Sequence, residues 1–501
     1  MKRIFALLVL GLVCAMGYSQ TPIRKDAFPP IPEKNDTKVI QMATTLEQMY
    51  GWDRYPTYET YLAVMEDFAE KYPAICKIDT IGKSVSNRLI LCAVISDNVG
   101  MREAEPEFIY SSTIHGDEVT GFYEMLRLID TLLNGYGKDD EITQLIDNTQ
   151  IYINPLANPD GTYRGGNSNL SNAMRYNKNY VDLNRNYPDP FGSDPFSGVQ
   201  VENQAYMAYI AQHNFVASAT LHGGAEVMNY PWDSYTSPQN KHADRDWWIG
   251  ISKRFVDTCR KVSTSCFKDV ENCGYTAGGD WYVIPNGRQD YMNYYAHVRE
   301  ITMEISSTKT PSSDKLCNYW NIHRQSYLNY IKEVQFGIRG TVKDAQTEEP
   351  LKAMIVIVNH DKDSSQIYSN PLYGDFYRPI EAGTYSVMAI ALGYKTKILQ
   401  NIVAEEGRAT YLDILLNQGD GEEVSIAQGE DNAPILVYPN PTDGLVWISN
   451  TEDGTPIIIT NIYSQRMATY PCGTTCIDLK GYSNGIYLLN IGGKVQKVVK
   501  Q

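Results

Sequence analysis

What the chain has little of narrows the reading first. After the N-terminal twenty residues, no stretch is apolar enough to span a bilayer. Lysine and arginine number 44 against 59 acidic residues, a formal net charge of −15. That argues against a nucleic-acid or anionic-membrane partner and leaves cationic peptides or sugars as possible substrates. Cysteine is present, but no pair has the Cys-x-x-Cys spacing of a zinc–thiolate site. Cys76, Cys92, Cys259, Cys266, Cys273, Cys317, Cys472 and Cys476 are expected to be structural or free, with no pairing fixed by spacing. Histidine is scarce, seven in 501 residues, so where each one falls matters.

The N-terminus, "MKRIFALLVLGLVCAMGYSQ", has Lys2 and Arg3, then an apolar run, then Gly17 and Ser19. It reads as a secretory signal over 1–19, too short for a membrane anchor. Val13 before Cys14 lacks the small side chain a lipidation site would want. Residues 20–50 are aperiodic and read as a leader too short to be a folded pro-domain.

From 51 to 335 strand-like and helix-like patterns alternate. Runs at 88–96, 108–114, 151–158, 215–222 and 300–306 are β-branched or aromatic and nearly apolar on both faces, as strands of a covered α/β sheet are. Between the second and third, Phe122, Met125, Leu126, Ile129 and Leu133 form one helical stripe closed by Gly135. Over 336–417 the pattern changes to short alternating runs with turn residues between them, a small β-sandwich. The stretch 418–434 is acidic and glycine-rich and reads as a linker. A second small β module occupies 435–501.

The unusual polar residues sit at the ends of the predicted strands. His115 follows one, with Glu118 three positions on. Asn158 and Asp160 follow another. His222 ends a third, and Glu304 lies inside a fourth. Ligands of open α/β sheets bind beyond the carboxyl ends of the strands. Two histidines and a glutamate there match a catalytic zinc site with one open position. The competing readings are a solvated histidine beside a helix-start acid and, for His222, a satisfied core histidine. Spacing does not choose between them.

In order, "HGDE", "NPDG", "DLNRNYPD", "LHGG…YPWD" and "EITMEIS" resemble the zinc metallocarboxypeptidases, closest to the regulatory branch of carboxypeptidases N, E, M and D. The resemblance covers roughly 55–335. It implies a mixed, mostly parallel eight-stranded sheet between helices and one zinc ion held by His115, Glu118 and His222. Glu304 would be the general base, and Arg175 would stabilise the oxyanion. Arg164 is the weaker candidate for that role, having no Asn two positions on as Arg175 has in Asn177. Asn184 and Arg185 would grip the substrate's C-terminal carboxylate, and Tyr282 would cap it. Asp233, with Gln289, implies a preference for C-terminal Lys or Arg. Where the family tends to carry "GGMQD" this chain has "NGRQD", so Arg288 stands where it is expected to repel a cation in the pocket.

Residues 336–417 resemble a transthyretin-like domain, and the end, "YPNPTDG…GIYLLNI", resembles a type IX secretion sorting domain. The expected protein is thus a secreted or surface zinc carboxypeptidase. Its partners would be peptide or protein C-termini and the secretion machinery, with no nucleic acid. The alternatives are a peptidase of peptidoglycan stem peptides and a catalytically dead peptide-binding or adhesive protein.

Overall fold

The five apolar runs are strands of one sheet in the computed structural model, joined by three strands with no such signature. The structure describes residues 39–501 except 193, 196, 197, 420, 421, 426–435, 450–455, 462–464, 472, 492 and 493. The expected signal segment, the leader to residue 38, Cys472 and most of the expected linker lie outside the described residues. The strands are β1 (Cys76–Lys83), β2 (Leu89–Ile95), β3 (Glu107–Ser112), β4 (Gln150–Asn154), β5 (Phe215–His222), β6 (Ala225–Tyr230), β7 (Tyr275–Ala277) and β8 (Arg299–Ser306). Their order is β1-β2-β4-β3-β5-β8-β6-β7. The central four, β4, β3, β5 and β8, are mutually parallel, while β2 and β6 run antiparallel to their central neighbours.

Every residue of β3, β5 and β8 is buried, because helices cover both faces. Helices α1 (Tyr58–Lys71), α2 (Thr120–Gly135), α3 (Val201–Ile210), α4 (Arg245–Val262), α5 (Arg288–Tyr294) and α6 (Leu316–Lys332) supply that cover. Alternate strand residues divide between two cores, as a period of two requires. Phe108, Tyr110, Ala217, Ala219, Ile301 and Met303 pack with α1, α2, α4 and α6. Ile109 and Tyr152 pack with Tyr206, Tyr209 and Ile210 of α3. The stripe read from the sequence is buried in α2. Gly135 is the last residue of that helix, where a Cβ would stand 2.4 Å from Ile142 Cδ1.

Two segments depart from expectation. Residues 39–50 are not a loose leader. Met42–Ala43 pairs with Tyr55–Pro56, Thr45 caps the short helix Leu46–Met49, and Ala43 and Met49 are buried in the main core. About one turn of helix is too short to show a period, so this packing left no mark on the pattern. Within the stretch expected as a linker, Glu422–Ser425 pairs in parallel with Thr396–Ala404; backbone pairing can recruit an acidic segment that no side-chain alternation announces.

Residues 337–425 form two facing sheets of three and five strands around Ile338, Ile355, Phe376, Val387 and Ile414. Buried ions tie this sandwich to the first sheet. Arg378 Nη2 donates to Asp244 at 2.7 Å and Asp361 at 2.5 Å, and Arg299, the first residue of β8, approaches Asp244 at 3.2 Å. Asp244, His360 and Asp361 lie close enough to suggest a metal site, but the Arg378 guanidinium already neutralises the oxygens concerned. Strands between 436 and 500 form sheets of three and four. Among the described residues no helix is long and apolar enough to cross a membrane.

Candidate active site

Local strain and close glycine contacts present the first two site residues. After β3 ends, Thr113 turns the chain with φ +63°, a backbone that β-branched residues rarely take. Gly116 then lies on Gly161, where a Cβ would meet the carbonyl carbon at 2.3 Å. Asn158 Nδ2 donates to Ile114 O at 3.1 Å and to Arg175 O at 3.3 Å, and its Oδ1 accepts from Gly161 N at 2.9 Å. His115 and Glu118 are thereby held beyond the carboxyl edge of the sheet. His222 is the last residue of β5, and Glu304 on β8 is in register with it, so both side chains leave the same face.

Three donor atoms converge. His115 Nδ1 is 2.9 Å from Glu118 Oε2 and 3.1 Å from His222 Nδ1, and His222 Nδ1 is 2.9 Å from the same carboxylate oxygen. The exposures of His115, Glu118 and His222 are 1%, 1% and 2%. Ligand atoms about 2 Å from one tetrahedral centre stand about 3.3 Å apart, so this triangle is slightly tighter than one closed around zinc. Burial pushes the Glu118 pKa up, but the imidazoles of His115 and His222 outweigh it and hold the carboxyl well below its ordinary value. A buried carboxylate and two imidazole nitrogens aimed at one point fit a zinc ion.

Asp182 organises what surrounds the triangle. Its Oδ1 accepts from His115 Nε2 at 3.1 Å, which assigns the proton to Nε2 and leaves the Nδ1 lone pair for a metal. Its Oδ2 accepts from Arg175 Nε at 2.8 Å, and Oδ1 also accepts from Asn184 N at 2.9 Å. Arg175 Nη1 lies 3.2 Å from His115 Nδ1 and 3.7 Å from Glu118 Oε1. Burial disfavours the Arg175 cation, but Asp182 and Glu118 raise its pKa overall. Arg164 stands elsewhere, with its guanidinium 5.3 Å from the Tyr180 ring centroid. Lys309, which no motif flagged, places Nζ 3.1 Å from Asp117 and 3.3 Å from Glu118 Oε1.

A group of buried polar side chains lies beyond Asn184. Arg288 N donates to Asn184 Oδ1 at 3.0 Å, which commits that oxygen and leaves Nδ2 as the donor end. Arg185 Nη1 donates to Asn184 O at 2.8 Å. Asp233, 1% exposed, accepts from Gln289 Nε2 at 3.0 Å, and Gln289 Oε1 accepts from Thr302 N at 2.6 Å. Asp290 receives the backbone N–H groups of Asp233 and Ser234 at 2.8 and 2.9 Å. Gly278 must be glycine, since a Cβ would stand 1.8 Å from Asp233 Oδ1. Across Gly287, Asp233 and Asn184 face one another. Tyr282 is 3% exposed on extended backbone, with Trp281 4.8 Å from its ring.

The expectation for Arg288 fails. Its side chain is fully buried, and its Nε and Nη2 donate to Glu300 Oε2 at 3.1 and 2.8 Å while Nη2 reaches Tyr206 Oη at 2.7 Å. The guanidinium lies 4.0 Å from the Tyr206 ring centroid. Its charge is met by Glu300, so it does not stand free in the pocket to repel a cation.

Cys76, Cys92, Cys259, Cys266, Cys273 and Cys317 form no disulfide with one another. A family model described as zinc carboxypeptidase matches residues 61–326, and one described as secretion system C-terminal sorting domain matches 436–501. The chain is 33% identical over 392 residues to carboxypeptidase D of Anas platyrhynchos, a match covering 75% of this chain and 27% of that protein's length. It is 34% identical over 353 residues to carboxypeptidase SOL1 of Arabidopsis thaliana, covering 68% of each. It is 35% identical over 361 residues to carboxypeptidase M of Mus musculus, covering 69% of this chain and 80% of the relative.

Proposed function

The chain belongs to the zinc carboxypeptidase family, and from that premise we propose that it removes the C-terminal residue of peptides and proteins, preferring Lys or Arg, outside the cell. The observation that carries this reading is the His115–Glu118–His222 triangle with Glu304 in register beside His222. A zinc ion held there would acidify water and polarise the scissile carbonyl. The remaining work falls to side chains. Glu304 takes a proton from the attacking water and returns it to the leaving amine. Arg175, held in place by Asp182, faces the oxygen that gains charge.

The substrate's own carboxylate meets the Arg185 fork and the Asn184 amide, which restricts cleavage to chain ends. Tyr282 covers the bound residue. Asp233, steadied by Gln289, offers a buried partner to a Lys or Arg side chain that loses its water on entry. The match of 436–501 to a sorting domain supports passage through the outer membrane by the type IX route.

The test is mass spectrometry of peptides ending in Lys, Arg, Phe, Glu and D-Ala, with zinc and then with a chelator. Stepwise chelator-sensitive loss of Lys and Arg is expected. Loss of D-Ala alone, or of nothing with zinc bound, contradicts the reading. Removing 436–501 and fractionating cells tests export: the shortened protein is expected to stay inside the outer membrane.

A further inference from the structure

A cavity of about 330 Å³ borders the segment that carries Arg175, and the proposed reaction leaves it without a role. Its walls include Arg88, Asp160, Arg164, Met174, Lys178 and Tyr180. Met174 directly precedes Arg175, and its N–H donates to Gly161 O at 3.0 Å, so the cavity and the metal triangle share one stretch of backbone.

The charges in the cavity are unequal. Arg88 is spoken for: it donates to Asp160 Oδ1 at 2.8 Å, to Asn167 Oδ1 at 2.8 and 3.2 Å, and to Tyr163 O at 3.1 Å. Asp160 also accepts from Ser86 N at 2.8 Å. That pair is a neutral, fully bonded wall. Arg164 differs, since it stacks on Tyr180 and donates to its hydroxyl at 3.0 Å, which orients the guanidinium without neutralising it. Among the described residues neither Arg164 nor Lys178 has a carboxylate within ion-pair reach. Two uncompensated cations thus line a hollow in a chain whose net charge is −15, where acidic partners are plentiful.

Gly116, next to His115, packs on Gly161 and donates its N–H to Arg175 O at 3.3 Å, while Asp160 and Met174 line the cavity, so the cavity adjoins the metal triangle. A peptide whose C-terminal residue is held at Asn184 and Asp233 and cut at the triangle has its upstream residues within reach of that wall. We propose that this cavity is a second substrate subsite, which takes an anionic side chain of the peptide upstream of the scissile bond, with Arg164 and Lys178 as its specificity-determining residues. The proposal rests on the carboxypeptidase reading above and narrows its substrates to chains with an acid upstream of a basic terminus.

The test uses the full, zinc-loaded chain carrying Glu304→Gln, so that peptides bind without turnover. Calorimetry compares peptides ending in Lys that carry Glu, Gln or Lys at successive upstream positions. The Glu peptide is expected to bind at least about threefold tighter than the Gln peptide at one or two positions, from the worth of exposed ion pairs. The advantage is expected to shrink at high salt and to vanish when Arg164→Ala and Lys178→Ala are added. Equal affinities at every position overturn the subsite, as does an advantage that survives the double substitution. Inorganic phosphate that binds without peptide while Glu and Gln peptides stay indistinguishable would mark a free-anion site and also overturn it. A wild-type protein that binds acidic peptides tightly but hydrolyses none sinks the carboxypeptidase reading and leaves the subsite standing.

Discussion

His115 donates from Nε2 to Asp182 at 3.1 Å, and this bond decides which imidazole nitrogen is free for a metal. The same carboxylate receives Arg175 and the Asn184 backbone. One side chain therefore orients His115, Arg175 and Asn184, the residues proposed as metal ligand, oxyanion stabiliser and start of the carboxylate grip. Asp182→Ala is expected to weaken zinc binding about 10- to 100-fold, the usual cost of losing such a support. Competition against a chromogenic chelator reads this independently of activity, and an unchanged zinc affinity would contradict it.

Asp233 is the buried carboxylate proposed to receive a basic side chain. Asp233→Asn keeps the shape and removes the charge. Hydrolysis of peptides ending in Lys is expected to fall about 100-fold in kcat/KM, near 3 kcal/mol, because the incoming cation then lies buried and unpaired. Peptides ending in Phe should lose far less. Equal losses for both would assign Asp233 a structural role instead.

Arg288 and Glu300 form a fully buried pair. Burial raises the Glu300 pKa, and Arg288 opposes that rise. Arg288→Met leaves the carboxyl without its cation and is expected to cost about 3–5 kcal/mol in denaturant unfolding. Adding Glu300→Gln should recover part of the loss. The Lys-over-Phe preference of the protein that remains folded should be unchanged, since this guanidinium is already paired with Glu300.

The joint between the central sheet and the sandwich is expected to carry a pH dependence. His360 lies 3.1 Å from Asp361, 3.5 Å from Glu381 and 3.9 Å from Asp244. Burial lowers its pKa and Arg378 also opposes the charge, but the carboxylates prevail and raise it to about 9. A folded pKa above the unfolded one gives stability that is complete below about pH 6.5 and is lost as pH rises through about 9. Thermal unfolding from pH 6 to 10 should show a decline in the wild type that His360→Gln flattens. Parallel curves would contradict the assignment.

The parts of this architecture written locally were legible, and the parts made by distant pairs were not. The strands β3, β5 and β8 declare themselves because burial on both faces demands unbroken apolar runs. Their ends mark His115 and His222 for the same reason. β1 is partly exposed and β7 has three residues, so neither gives a strong pattern. Asp182 lay inside a recognised motif, but its role depends on His115, 67 residues away. Arg288 misled because its neighbours in sequence do not include Glu300, which meets it only when α5 packs on β8.

The most direct measurement of the central claim is zinc content and turnover on one preparation, wild type beside Glu304→Gln. The account predicts one zinc per chain in both, with C-terminal Lys released by the wild type and release slowed about 100-fold or more in the variant, the range a positioned general base contributes. Full turnover by Glu304→Gln, or a wild-type protein that hydrolyses these peptides after complete removal of zinc, would contradict it.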